Sequence, residues 1–293
     1  MNFNLLLEQS LIGISIGGAY ALIAIGYTLV YGILRLINFA HGDIFMMAGY
    51  FMIFSSSIFP VYIAIPITII ETCILGVVIE KAAYKPLRES PRMSIMISAI
   101  GVSYLLQNLA TYLFTALPMQ YPRIEFLKIP IRILNVQSNL ANIITPIIAI
   151  FLVLVLIWIL NNTKIGLSMR AVSRDYEAAS LMGIKINKTI SWTFVIGSSL
   201  AAVGSILYFS NRSSVFPYSG SLPGLKCFVA AVFGGIGSIP GALIGGLFIG
   251  ICENLIKSAG YSTFSDAFTF VVLIIMLLFR PTGLFGEKLI EKV

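Results

Sequence analysis

Charge is scarce in this sequence: Asp, Glu, Lys and Arg make up 11% of its 293 residues, against about 25% in an ordinary soluble domain. Histidine is scarcer still. His41 stands alone, so a His-paired nucleophile can be built only there. The three cysteines, Cys73, Cys227 and Cys252, lie inside apolar stretches without metal-ligand spacing, and they read as small buried hydrophobes rather than a disulfide framework. No Gly-x4-Gly-Lys-Ser/Thr loop occurs, which excludes nucleotide binding by that device. The glycines at 234–241 lack dinucleotide spacing and follow no strand. No catalytic set, metal site or cofactor is implied.

What is abundant is apolar surface. Hydrophobic residues make up 58% of the chain, with 20 Phe and 13 Tyr, and the mean hydropathy is +0.96. A soluble fold of this size cannot hide so much apolar area, because a large part of any soluble surface must be tolerably polar. The same numbers exclude disorder. The expected fold is all-α, a polytopic bundle of transmembrane helices in a lipid bilayer. The net charge of +7 does not point to nucleic acid, because the basic residues are scattered in short loops where they anchor the bundle. Met1–Gln9 has one acid and no basic residue, so the first apolar segment reads as a retained span rather than a signal peptide.

About 20 apolar residues cross the ~30 Å hydrocarbon core as a helix. Uncharged or nearly uncharged runs predict spans within 9–34, 44–70, 93–122, 133–163, 189–211, 227–252 and 264–279. Pro60 divides the second region into 44–59 and 61–79, and the glycines with Pro240 break the region 225–256. This makes eight segments, and nine if that break separates two, with re-entrant or broken helices among them. Basic residues orient the bundle. Loop 80–92 (Lys81, Lys85, Arg88, Arg92), loop 161–189 (Lys164, Arg170, Arg174, Lys185, Lys188) and the tail (Arg280, Lys288, Lys292) hold 12 of the 19 basic residues. They are assigned to the cytoplasm, and 118–140 to the outside.

Glycines four apart, Gly237, Gly241 and Gly245, then Gly246 and Gly250, with Gly13 and Gly17 in the first span, are the spacing that lets helix backbones approach closely in lipid. Where Pro240 joins Gly234, Gly235 and Gly237, a broken helix lining a pathway is the alternative to packing alone. Glu71 and Glu253 are the main carboxylates within apolar runs, each expensive there unless partnered, and Lys257 is an i,i+4 partner for Glu253. The polar insert Arg35–Asp43 carries Asn38, His41, Gly42 and Asp43 and reads as either a surface turn or a re-entrant element inside the bundle. Loop 161–189 contains a predicted short helix over 174–182. Ser173 is its N-cap, Asp175 and Glu177 favour its N-terminus, and Gly183 stops it. Ala178, Leu181 and Met182 make an apolar face at i, i+3, i+4. So short a helix needs packing against the bundle or a partner.

These residues carry a resemblance. Ala21–Tyr27, Ile37-Asn-Phe-Ala-His-Gly-Asp43, Ala83–Arg88, Ile97–Gly101, Phe233-Gly-Gly-Ile-Gly-Ser-Ile-Pro-Gly241 and Arg280-Pro-Thr-Gly283 resemble the permease family of branched-chain amino-acid ABC importers, the LIV type, along the whole chain. Asp43 stands where that family more often shows Glu. The resemblance implies one permease domain over 1–293. It implies that Arg174, Asp175, Glu177, Ala178, Leu181, Met182 and Gly183 couple to an ATPase, and that ATP is hydrolysed on other chains. It further implies two ATPase subunits, a second homologous permease and an external binding protein as partners. Urea permeases share much of this pattern, and an ion-coupled secondary transporter, an intramembrane enzyme and a channel are rival readings.

Overall fold

The computed structural model describes residues 3–88, 90–133 and 136–286, so Met1, Lys288 and Lys292 lie outside the described residues. In chain order the helices are α1 (Phe3–Leu34), α2 (His41–Ile58), α3 (Val61–Ile79), α4 (Arg92–Leu113), α5 (Leu140–Asn162), α6 (Lys164–Arg174), α7 (Tyr176–Leu181), α8 (Ile186–Arg212), α9 (Ser221–Gly234), α10 (Ile239–Ser258) and α11 (Ser262–Phe279). Seven of them, α1, α3, α4, α5, α8, α10 and α11, are long and apolar enough to cross a membrane. The molecule is therefore a multi-pass helical membrane protein. The eighth and ninth expected segments are α2 and α9. Neither meets the same standard: α2 because His41, Asp43 and Ser55–Ser57 dilute it, and α9 because its 14 residues reach only about 21 Å.

The axis of the bundle is α1, which packs against α10, α8, α5 and α9. Its stretch Ala19–Ile25 is fully enclosed. The expected glycine packing is realised between α1 and α10. A β-carbon at Gly17 would lie 2.7 Å from the Leu247 α-carbon, and one at Gly246 would lie 2.5 Å from the Ala21 α-carbon. Such contacts substitute van der Waals closeness for the hydrophobic drive that lipid does not supply. Gly241 and Gly245 serve the neighbouring contact, against Gly234 and Ala230 of α9. Gly237 departs from the expectation. It sits in the turn before α10 at φ +101 with open space around it, so it contributes turn geometry and no packing.

Prolines and glycines punctuate as expected. Pro60 caps α3 after α2 ends at Ile58, and Gly235, at φ +105, ends α9. Several boundaries differ from the uncharged runs. Helix α1 includes Phe3, six residues before Gln9, and α4 ends at Leu113 rather than continuing to 122. The chain then makes two small antiparallel pairings before α5 starts at Leu140, not at 133. Strand β1 (Met119–Gln120) pairs with β4 (Ser214–Val215), and β2 (Pro130–Ile133) forms a hairpin with β3 (Val136–Asn139). Apolarity alone does not distinguish a spanning helix from the extended chain that caps it. Outward faces of α3, α5 and α11 expose Ile70, Ile74, Phe151, Leu154, Ile274 and Leu278, the surface that a bilayer covers.

Candidate functional site

The insert Arg35–Asp43 is an element inside the bundle, not a surface turn. After α1 ends, Arg35 adopts φ 55, and the chain turns back inward. The Asn38 side-chain oxygen accepts from the Ala40 amide at 3.1 Å and from the Tyr84 hydroxyl at 2.6 Å, fixing the turn that opens α2. His41, Gly42 and Asp43 form the first turn of α2, and all three are buried. His41 lies edge-on to Tyr27, with ring centroids 4.9 Å apart.

The N-terminus of α9 abuts this turn. A β-carbon at Gly42 would come 2.8 Å from the Gly220 carbonyl oxygen and 2.9 Å from the Gly224 α-carbon, so only glycine permits the approach. Two helix N-termini therefore converge on one point, an arrangement whose partial positive charges favour an anion. The anion present is Asp43, 1% exposed. Its carboxylate accepts from the Ser103 hydroxyl and, at 3.0 Å, from the Gln107 side-chain amide, both on α4. Gln107 also donates to the Ser221 hydroxyl at 3.2 Å. Beside these groups opens a cavity of about 240 Å³, walled otherwise by Tyr27, Phe39, Ile100, Tyr104, Leu225 and Phe228.

The structure thus gathers Asn38, His41, Gly42 and Asp43, but it leaves Gly234, Gly235, Gly237 and Pro240 at the far end of α9. There they build the reversal into α10. The Leu284 and Phe285 amides donate to the Phe233 and Gly234 carbonyls, and the Ser238 hydroxyl caps α10 by accepting from the Gly241 amide. Ser103, Gln107 and Ser221 complete the polar wall and were not singled out from sequence. The available signal was Ser103 and Gln107, polar residues four apart in an apolar run.

The second feature is the surface of α6 and α7. The predicted helix over 174–182 is shorter than expected, Tyr176–Leu181, and Ser173 is not its cap. Ser173 belongs to α6, and Asp175, in extended backbone, breaks the two helices apart and accepts from the Ala178 amide at 2.9 Å. Its charge beside the helix N-terminus makes it the stronger cap. Gly183, at φ +81, ends α7 as expected. Of the expected apolar face, Leu181 is 88% and Met182 83% exposed and Ala178 is exposed, while Ala179 packs inward. Arg174 and Glu177 are exposed beside them. Burial raises the Tyr176 phenol pKa, opposed by the Arg88 guanidinium. Arg88 in turn pairs with Glu80 and donates to Asn187, and Arg35 donates to the Ser173 carbonyl at 3.0 Å.

The carboxylates within the apolar runs are both partnered. Glu71 accepts from the Ser55 hydroxyl at 3.1 Å. Glu253, fully buried, pairs with the expected Lys257 and also with Lys226, 2.8 Å away, and accepts from the Tyr20 hydroxyl at 2.9 Å. Lys226 also pairs with Asp266. The four ionised groups balance, joining α9, α10 and α11 to α1. Lys226 lies one residue before the uncharged run 227–252, and the sequence alone does not mark it as a buried partner of Glu253.

Residues 10–278 match the family model described as the branched-chain amino acid transport system permease component. The chain is 37% identical over 304 residues to the high-affinity branched-chain amino acid transport system permease protein BraD of Pseudomonas aeruginosa, covering 98% of each. It is 38% identical to the permease protein LivH of Salmonella typhimurium, over 98% of this chain and 97% of that one. LivH of Escherichia coli is 37% identical over the same shares. With the family model matched over residues 10–278 and these identities running over nearly the whole chain, this chain belongs to the branched-chain amino acid transport permease family.

Proposed function

We propose that this chain is the membrane-embedded subunit of an ATP-driven importer that carries branched-chain amino acids inward across the inner membrane of a prokaryote. The observation that carries the reading is likeness over nearly the whole chain to BraD and LivH. The subunit performs no hydrolysis itself. Two ATPase subunits supply it, a second homologous permease completes the translocation path, and an external binding protein delivers the substrate. Residues 81–92 and 162–188 face the cytoplasm and 118–140 face outside, in keeping with the bias of basic residues.

Docking falls to α7. Ala178, Leu181 and Met182 enter a groove of an ATPase subunit as helix anchors, Arg174, Asp175 and Glu177 flank the contact, and Gly183 returns the chain to the bundle. The joint of Asn38, His41, Gly42 and Asp43 belongs to the translocation path, and nucleotide-driven movement of the docked helix opens it alternately to either side. The reversal at Gly234, Gly235, Gly237 and Pro240 lets α9 end within the bundle.

Uptake by the complete complex in proteoliposomes tests this. Leucine, isoleucine and valine are expected to enter in an ATP- and binding-protein-dependent manner and to compete with one another, while urea does not compete. Competition by urea, or uptake driven by a proton gradient without ATP, overturns the assignment.

A further inference from the structure

The cavity beside Asp43 has two unlike ends. One is the carboxylate with Ser103, Gln107 and Ser221, and the remainder is aromatic and aliphatic. Asp43 accepts hydrogen bonds from neutral donors only, and no ion pair among the described residues includes it. A buried carboxylate is normally compensated by a cation. Here the convergent helix N-termini supply partial compensation, and the remaining lone pairs of an acceptor-only group sit on the wall of an open cavity. Its volume lies below the 300–1,000 Å³ of drug-sized pockets, so it suits a small solute.

Resting on the import of amino acids proposed above, we infer that Asp43 is the group that receives the α-ammonium of the substrate during passage, with the branched side chain lying against Tyr27, Phe39, Tyr104 and Phe228. The ammonium brings three donors, which the Asp43 carboxylate and the Ser221 hydroxyl accept. The apolar remainder of the cavity takes the aliphatic side chain without demanding one particular shape. The site is a stepping point rather than a receptor, since a helix joint that must open again gains nothing from tight binding.

The test uses the assembled complex of permease and ATPase subunits, with the native cysteines replaced and Leu225→Cys placed on the apolar wall. The rate of thiol modification is read with millimolar leucine, 3-methylbutylamine or 4-methylpentanoate. Leucine and the amine are expected to protect and the carboxylate without an ammonium not to. Asp43→Asn removes the protection and, in native-cysteine proteoliposomes, lowers leucine uptake about tenfold or more, the loss expected of a charge-assisted hydrogen bond. Asp43→Glu, which keeps the charge, recovers protection and part of the uptake that Asp43→Asn loses. ATPase co-purification of each variant shows that it folds. Equal protection by all three solutes, or protection surviving Asp43→Asn, overturns the ammonium site. Protection by both amines in a complex whose wild type fails to import leucine instead overturns the branched-chain reading and leaves the ammonium site standing.

Discussion

The guanidinium of Arg35 lies 3.0 Å from the carbonyl oxygen of Ser173, a residue 138 positions away in the chain. Ser173 sits at the end of α6, next to α7, the helix proposed to dock, and Arg35 opens the turn that leads through Asn38 to the cavity. One hydrogen bond thus ties the end of α6 to the turn between α1 and α2. Arg35 holds a left-handed conformation at φ 55, which costs a non-glycine residue on the order of 1 kcal/mol. Arg35→Gly relieves that cost and removes the tie. We expect a complex that assembles and hydrolyses ATP but moves several-fold less substrate per ATP, measured as the ratio of uptake to phosphate release. An unchanged ratio rejects the link.

Leu181 contributes almost nothing to the fold of the isolated chain, because it is 88% exposed. Leu181→Asp or Ala178→Asp should therefore leave insertion and thermal stability of the permease unchanged. In the docked complex each buries an unpaired charge, at a cost of several kcal/mol, so ATPase subunits should no longer co-purify and uptake should stop. Full ATPase binding by both variants would sink the docking assignment.

Glu253 and Glu71 should respond unequally to the same change. Glu71→Gln alters one contact, with Ser55, and is expected to cost at most about 1 kcal/mol, with ATP-dependent uptake within a few-fold of normal. Glu253→Gln leaves Lys226 buried with only Asp266 for compensation and should lower the midpoint of thermal aggregation markedly. Adding Lys226→Met removes the stranded charge and should recover much of the loss. If Glu253→Gln proves as mild as Glu71→Gln, the four-charge cluster does not support the bundle.

How much of this was readable from the chain depends on the range over which each feature is determined. Pro60, Gly183 and the glycine break before α10 act locally, through φ and a missing amide proton, and they were found where expected. The cost of charge in hydrocarbon is also local, so the apolar runs marked the bundle. The same rule misled at the edges. Lys226 was not singled out because its partners, Glu253 and Asp266, come from two other helices, and the insert with Asp43 stayed open between a surface turn and a re-entrant element because Ser103 and Gln107 lie about 60 residues on. Cap choice at α7 was a competition between two neighbours, and the charged one won. The uncharged ends 114–122 and 133–139 extended the expected spans too far, and the strand pairings β1–β4 and β2–β3 reveal extended chain there.

Glycine contacts supply a paired control. Gly246→Val drives a side chain into the Ala21 backbone, whereas a β-carbon at Gly101, on the lipid-facing side of α4, meets nothing within 4 Å. Gly246→Val should prevent assembly of α10 on α1, seen as aggregation on size-exclusion chromatography. Gly101→Ala should be neutral or stabilise by up to about 1 kcal/mol through helix propensity alone. Equal behaviour of the two would mean that the α1–α10 approach is not close.

The joint of α2 and α9 is made of bare α-carbons, Gly42 facing Gly220 and Gly224. Side chains that interlock must leave their rotamer wells and lose dispersion contacts before two helices can shift. Here the contact is made by backbone, with the Met46 β-carbon the one side-chain atom close to Gly220. The joint is consequently set by backbone closeness rather than by interdigitation: a single methyl group at Gly42, Gly220 or Gly224 would push α9 off α2 and carry Ser221 away from Gln107.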